Sequence, residues 1–145
     1  MPFRILILCL CAITVVTLCE CSTEKNVYDG VPINRVTIIH NDSLYQFYTL
    51  DPVKATTVKT VDSLSYTWFK NDSIYLTQGS FSGRLVHGAY LEMFPDRSLK
   101  TKGNYSYGLK IGKWQTWNSS GQLIKIQQFK TGKLVADSTV RKHKS

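Results

Sequence analysis

The sequence predicts a mainly β protein, an elongated antiparallel sheet of successive β-hairpins that follows an N-terminal apolar signal helix. Three observations lead to this fold class. One residue pattern recurs at a fixed spacing between positions 81 and 137, and a period in the range of roughly 20–50 residues is typical of arrays of small supersecondary units. Clusters of turn-forming residues separate short β-branched and aromatic runs. Beyond the leader, no stretch combines a sustained 3.6-residue apolar period with helix caps.

The repeat is defined by residues that return at fixed offsets. Aromatic residues open the units, and small residues and leucines recur later in them. The aromatic set is Phe81, Tyr105 and Phe129, the small set is Gly88, Gly112 and Ala136, and the leucine set is Leu99 and Leu123. Successive members of every set are separated by the same number of residues, and we call this spacing the repeat period. Each unit is predicted to run from a glycine turn through an aromatic strand and a polar turn to a short return strand. In the second unit these are residues 108–112, 113–117, 118–121 and 122–129.

Two further hairpins are predicted before the repeats. Residues 36–39 and 44–50 flank a turn at 40–43, and residues 65–69 precede a partner strand at 74–77. The second hairpin shares part of the repeat pattern and is interpreted as a degenerate earlier copy. Between the hairpins, residues 53–62 alternate Thr and Val with two lysines, which predicts an edge strand protected by its charges.

Residues 1–21 have the pattern of an export signal. Arg4 supplies a positive start, residues 5–18 form an apolar run, and polar residues follow. This run is shorter than the ~20 residues of a membrane span. All four cysteines lie in this leader, and a cysteine at the end of an export signal resembles the acylation site of bacterial lipoproteins. Cys21 is preferred and Cys19 is the alternative, while an uncleaved N-terminal anchor is the competing interpretation.

These assignments predict a domain outside the cytoplasm, anchored to the inner or outer membrane of a cell envelope. The predicted organisation is a leader at 1–21, a tether at 22–35, hairpins at 36–80, repeats at 81–137 and a basic tail at 138–145. The formal net charge of +8 is uneven, because residues 1–96 carry −2 and residues 97–145 carry +10. Such asymmetry concerns partners and not the fold.

The second unit carries a resemblance to a known family. Its sequence GLKIGKWQTWNSSGQL, residues 108–123, is similar to the MORN repeat in the variant common in exported bacterial proteins and in a family labelled as antitoxin components. The first unit departs from it where Tyr90 stands for Trp114, Met93 for Trp117 and Arg97 for Gly121. The resemblance covers residues 81–137. It implies a row of β-hairpins laid side by side and, as an alternative function, an antitoxin or immunity role.

The domain is poor in groups that catalyse reactions. It has no cysteine beyond the leader, its histidines are His40, His87 and His143, and it shows no metal-ligand spacing or nucleophile elbow. Residues 83–88 have the spacing of a phosphate loop but lack the following Lys and Ser/Thr. His87 is expected to face solvent in a repeat turn. The sequence therefore predicts no enzyme activity, no cofactor and no metal site.

The candidate binding residues are the lysines and tryptophans of the repeats. They are Lys100, Lys102, Lys110, Lys113, Trp114, Trp117, Lys125, Lys130 and Lys133. In the plainer interpretation, aromatics pack across strands and lysines keep an edge-rich sheet soluble. In the functional one, they bind an anionic lipid or glycan surface or an envelope protein. Trp114 and Trp117, three apart, are expected on opposite faces unless a bulge intervenes.

Together these features predict a non-catalytic, membrane-tethered envelope lipoprotein. Its repeat sheet would act as a module that binds a protein or an anionic surface. The alternative is an antitoxin or immunity protein that neutralises an exported toxin. Nucleic acid is not expected as a partner of an exported, tethered domain, despite its charge.

Overall fold

The structure, a computed structural model, describes residues 33–140. Its strands are β1 Ile33–His40, β2 Ser43–Leu50, β3 Ser65–Lys70, β4 Ser73–Gln78, β5 Arg84–Met93, β6 Leu99–Ser106, β7 Leu109–Trp117, β8 Leu123–Lys130 and β9 Lys133–Thr139. The one helix in this range, α1, is Pro52–Ala55. The mainly β fold class and the near absence of helix are confirmed. The leader with Cys19 and Cys21, the tether up to residue 32 and the tail beyond 140 lie outside the described residues.

Seven strands form one antiparallel sheet in the order β1-β2-β5-β6-β7-β8-β9. From β5 to β9 every strand pairs with the next one in sequence, so the repeats stack in chain order. The β3–β4 hairpin does not extend this row, because β3 pairs with the start of β5 at Trp68 and Leu85. The hairpin predicted as an earlier copy of the repeat is therefore a branch. Its two strands are joined by the two-residue turn Asn71-Asp72, with both residues at positive φ. In the later units the corresponding turn is the longer one that contains Arg97 or Gly121.

The turns of the repeats recur with the sequence period. Tyr107-Gly108 and Thr131-Gly132 are two-residue turns with positive φ at both positions, a geometry that matches the twist of a hairpin. The longer turns recur at the same spacing, with Arg97 and Gly121 at positive φ. The same backbone bond closes both, from Arg97 N–H to Phe94 O at 2.9 Å and from Gly121 N–H to Asn118 O at 3.0 Å. The repeat period of the sequence is thus also a period of the structure.

The glycines that mark the repeat lie inside strands. Gly88 is in β5 with φ 99° and Gly112 is in β7 with φ 65°. The register of each strand against its preceding neighbour in the sheet shifts at this point, so each glycine accompanies a bulge. The predicted turn at 108–112 is wrong in extent, because the strand resumes at Leu109. A glycine in this position can mark a bulge inside a strand as well as a corner between strands.

The segment between β2 and β3 is not an edge strand. Residues 52–55 form one helical turn, and the Asp51 carboxylate accepts a hydrogen bond from Val53 N–H at 2.9 Å. Aspartate before the first turn and proline inside it are strong helix-start signals. They outweigh the alternation of Thr and Val that predicted a strand at 53–62. Ala55 is buried, and Val58 packs against a core cluster.

The larger core lies on one face of the sheet, which we call the aromatic face. Residues opposite each other in neighbouring strands share a face, and Val36, Phe47, Tyr90 and Gly103 are paired in this way across four strands. The buried members of the cluster are Phe47, Phe69, Val86, Tyr90, Tyr105 and Trp114. Its ring pairs meet tilted or edge-on, with centroids from 5.0 Å apart for Tyr105–Trp114 to 6.4 Å apart for Tyr45–Tyr90. The aromatic residues of the repeats therefore pack across strands.

A second core closes the end of the sheet where the β3–β4 hairpin attaches. Its buried residues are Leu50, Leu64, Tyr66, Trp68, Leu85 and Leu109. Thr67 N–H donates to Gly108 O at 2.7 Å, which ties β3 to the β6–β7 turn. Trp68 stacks on Tyr75 and donates to Thr77 Oγ1 at 2.8 Å. The branch is thereby fixed to the repeat array.

Gly103 makes room for the most buried tryptophan. A Cβ at position 103 would overlap the Trp114 ring, so the indole rests directly on the backbone of β6. Trp114 is only 3% exposed, although it lies on a sheet in which the repeats form a single layer. The glycine is required here for space, since no side chain fits between the strand and the ring.

Replacing Gly103 by alanine is expected to destabilise the fold by about 1–3 kcal/mol, the usual cost of overpacking a dense core. Urea unfolding followed by circular dichroism measures this change. Gly121→Ala is the control, because nothing lies within 4 Å of a Cβ there and only its positive φ is strained. Adding Trp114→Leu to Gly103→Ala should cost less than the two single changes together, and strict additivity would contradict the contact.

The buried tyrosines predict loss of stability at alkaline pH. Burial raises the pKa of Tyr105 from 10.0 to about 12. Its proton is therefore retained in the fold and lost from the unfolded chain, so its stabilising effect is complete below pH 10 and declines between pH 10 and about 12. Tyr105→Phe should flatten the fall of the urea midpoint in this window. An unchanged slope in Tyr105→Phe would refute the assignment.

Candidate binding surface

The register of the strands divides the predicted binding residues between the two faces of the sheet. One complete row on the aromatic face consists of Ile38, Tyr45, Glu92, Thr101, Thr116, Lys125 and Thr139. The adjacent row points the other way and consists of Thr37, Gln46, Leu91, Lys102, Gln115, Ile126 and Ser138. We call the side of this second row the open face, because none of its members belongs to either core cluster.

Two lysines on the aromatic side are held by carboxylates. Lys100 Nζ lies 2.7 Å from Glu92 Oε1, and Lys125 Nζ lies 3.3 Å from Asp137 Oδ2. The hydrogen bond to Glu92 raises the pKa of Lys100. Both positive charges are balanced locally, so neither lysine is well placed to hold an external anion.

Lys110, also on the aromatic side, is packed on rings. Its Nζ lies 4.4 Å from the centroid of the Trp114 ring and 5.2 Å from that of Phe129. Desolvation, with a smaller contribution from the nearby Lys125, lowers the pKa of Lys110. Its contacts are those of a cation–π interaction that covers the end of the aromatic core.

The remaining four lysines share the open face. Lys102 pairs with Gln115, Lys113 with Gln128, and Lys130 with Lys133, which sets them in a diagonal band across β6 to β9. All four are exposed. Within residues 33–140 none of them has a carboxylate within 4.0 Å. We call these residues the lysine band.

The open face of the repeats also lacks acidic residues. Strands β5 to β9 contain two carboxylates, Glu92 and Asp137. Glu92 pairs with Tyr45 and Asp137 with Gln127, so both belong to the aromatic face. The sheet therefore separates its charges, with ion pairs on one side and uncompensated positive charge on the other.

The two tryptophans of the second repeat separate in the same way. Trp114 is buried on the aromatic face, whereas Trp117 is partly exposed and pairs with Leu123 on the open face. The predicted opposite orientation is confirmed. The register against β8 shifts between Thr116 and Trp117, and this bulge places the extra residue on β8.

His87 is not at the surface, and the expectation that it faces solvent is wrong. It lies in β5 at 2% exposure, and Tyr107 N–H donates to its Nδ1 at 3.1 Å. Burial lowers the pKa of His87, so the neutral imidazole is favoured. The bulge at Gly88 turns this side chain inward, where it binds the β6–β7 turn. Spacing alone gave no signal of this role.

A cleft of about 600 Å³ lies between α1, the tip of the β3–β4 hairpin and the start of β5. Its walls include Pro52, Phe69 and Phe81, with Lys70 and Arg84 at the sides. The Arg84 guanidinium stands 5.1 Å above the Phe69 ring. Sequence reasoning did not find this cleft because three separate segments form it. Thr56, Asn71 and Ser82 also line it, so its walls are apolar, cationic and hydroxyl- or amide-bearing.

The described residues offer neither a metal cluster nor a membrane helix. No group of three or more His, Cys, Asp or Glu side chains within residues 33–140 is placed to hold a metal ion. In the same range no helix has the length and apolarity to cross a bilayer.

No family model matches the chain, and searches of curated proteins and of solved structures return no match. The resemblance to MORN repeats stays a prediction from the sequence.

The charge separation predicts different lysine reactivities on a single strand. Lys102 and Lys100 both lie in β6, but Lys102 is exposed and without a carboxylate partner while Lys100 is ion-paired to Glu92. We expect a limiting amount of an amine-acetylating reagent to modify Lys102 several-fold faster, because only the free, deprotonated amine reacts. Peptide mass spectrometry measures both sites in one sample. Glu92→Gln should raise the Lys100 rate, and equal rates in the unaltered protein would contradict the assignment.

Proposed function

We propose that the protein is a non-catalytic, membrane-tethered envelope lipoprotein that rests the open face of its repeat sheet on an anionic surface. The observation that supports this is the separation of the lysines. Three of them contact carboxylates or rings on the aromatic side, and the four of the lysine band have no carboxylate on their face of β5 to β9. Lysines needed only for solubility would not have to be sorted in this way.

The magnitude is sufficient for binding when combined with a tether. A lysine near an anionic membrane contributes about 1 kcal/mol, so four contribute roughly 4 kcal/mol. Such an affinity is weak for a free protein. A chain anchored through Cys21, or through Cys19, is already confined to the membrane surface, and confinement turns weak contacts into stable ones. The acylated leader and the lysine band therefore act together in this proposal.

The described residues also favour binding over catalysis. His87 is buried and hydrogen-bonded to a turn, so its imidazole is not presented at the surface. The lysine band extends across four neighbouring strands, which suits contact with an extended surface better than enclosure of a small substrate.

The test is binding of residues 22–145 to phosphatidylglycerol vesicles, measured by co-sedimentation. Four contacts of ~1 kcal/mol each correspond to binding at about millimolar lipid. Changing the four residues of the lysine band to glutamine should therefore reduce co-sedimentation at that lipid concentration to the background level. Binding of the unaltered chain should fall steeply with added salt. Neutral phosphatidylcholine vesicles should not bind it.

The matched control changes Lys100, Lys110 and Lys125 to glutamine, which removes a similar charge from the aromatic side. This variant should keep most of the affinity, and circular dichroism checks that both variants are folded. An equal loss in the two variants, or binding that is indifferent to salt, would refute the proposal. Co-purification of one stoichiometric envelope protein without vesicle binding would instead favour the protein-binding or antitoxin alternative.

A further inference from the structure

We infer that the end of the open face bearing Trp117 inserts into the interfacial region of the bilayer on which the lysine band rests. This inference depends on the proposed function, and it adds an orientation and a depth to it. It concerns six side chains at the ends of neighbouring strands, which we call the apolar row. They are Ile39, Leu44, Met93, Leu99, Trp117 and Leu123.

The strand register pairs the first four of these residues in turn. Ile39 pairs with Leu44, Leu44 with Met93, and Met93 with Leu99. The register of β6 against β7 ends with Thr101 opposite Thr116, and Trp117, the next residue of β7, lies at this same end of the sheet with its partner Leu123. Along their strands, Leu44 and Trp117 each stand two residues from a member of the open-face row, Gln46 and Gln115, and side chains two apart share a face.

The apolar row has no cover among the described residues. None of its members belongs to the two core clusters, and Ile39 is 77% exposed. The other five are only partly buried by their neighbours in the sheet. A contiguous row of this size, bordered by polar turns, is typical of an interaction site.

The position of the row relative to the lysine band fits a membrane interface. Lys113 lies four residues from Trp117 along β7, about 13 Å at 3.3 Å per residue, and Lys102 lies on the neighbouring strand beside Gln115. Interfacial segments combine an apolar surface buried ~5–10 Å deep with cations at the headgroups. Tryptophan is the residue most typical of this depth. The two sets of residues therefore meet the same surface at different levels.

The proposed tether permits this orientation. If Cys21 is acylated, the stretch from Ser22 to Pro32 precedes β1, and a chain of about 11 residues spans up to ~36–40 Å when extended. The eight residues of β1 are about 26 Å long. The linker is thus long enough for the far end of β1, at Ile39, to reach the membrane that holds the lipid. The nearby lysines complement an anionic surface, and the proposed tether holds the domain beside a bilayer, so the occupant we propose is an anionic bilayer.

Trp117 provides the test, because the other two tryptophans of the chain are buried or stacked within the fold. The full acylated protein is reconstituted into vesicles of phosphatidylglycerol and phosphatidylcholine that carry bromine atoms on the acyl chains. We expect these lipids to quench part of the tryptophan emission. Trp117→Phe should abolish the quenching, whereas Trp68→Phe, with its fold checked by circular dichroism, should retain it. Met93→Gln with Leu99→Gln should reduce it.

Protection of Lys102 and Lys113 from acetylation in the same vesicles reports the proposed function separately. Protection together with quenching that depends on Trp117 supports the inference. If the lysines are protected but the tryptophan emission is not quenched, the insertion is overturned and the electrostatic contact stands. The same holds if the lysines are protected and the quenching persists in Trp117→Phe. Absence of both protection and quenching overturns the contact and the insertion together.

Discussion

The contact between the Trp114 indole and the bare backbone of Gly103 is the constraint on which the sheet depends. A single hairpin of the repeat buries too little apolar surface to be stable, so consecutive hairpins must share a core. Trp114 joins the hairpins into one core, because its ring contacts Tyr90 and Tyr105 on one side and Phe129 on the other. Burying a large apolar side chain of this kind is worth about 1.5–3 kcal/mol. If residue 103 had a Cβ, the Trp114 ring could not approach the β6 backbone closely enough to contact residues of three units.

This packing also decides where the charges lie. Side chains alternate along a strand, so once the aromatic side chains define one face, the register assigns every lysine to a side. Glu92 and Asp137 lie with the rings and draw Lys100 and Lys125 to them, while Lys110 covers the end of the ring stack. The bulges at Gly88 and Gly112 each insert residues without reversing the alternation beyond them. The lysine band is consequently a product of the core and not an independent surface feature.

Sequence reasoning reached the architecture but not this division of faces. The repeat period, the turn residues and the lack of helical periodicity were enough for the fold class, and the antiparallel order of the repeats followed from them. The faces could not be assigned, because Gly112 looked like a turn residue and its bulge alters which residues are opposite one another. Asp51 and Pro52 began a helix where alternation suggested a strand. The branch of β3 from β5 depends on tertiary contacts such as Thr67 to Gly108, which no local pattern encodes.

An uncovered sheet face is normally a liability, because exposed strands and apolar side chains invite aggregation. The open face limits this hazard by placing lysines and glutamines beside the partly exposed Leu91 and Ile126 in its middle, whereas the apolar row at one end has no lysine among its members. A face designed solely for solubility would carry charges at that end as well. In the proposed orientation, Trp117, Leu99 and Ile39 beside the lysine band give the surface two levels, one for headgroups and one for the acyl boundary. In the proposed function this arrangement would hold the anchored domain in one orientation, since charge alone would attract it to a membrane but would not fix which end enters.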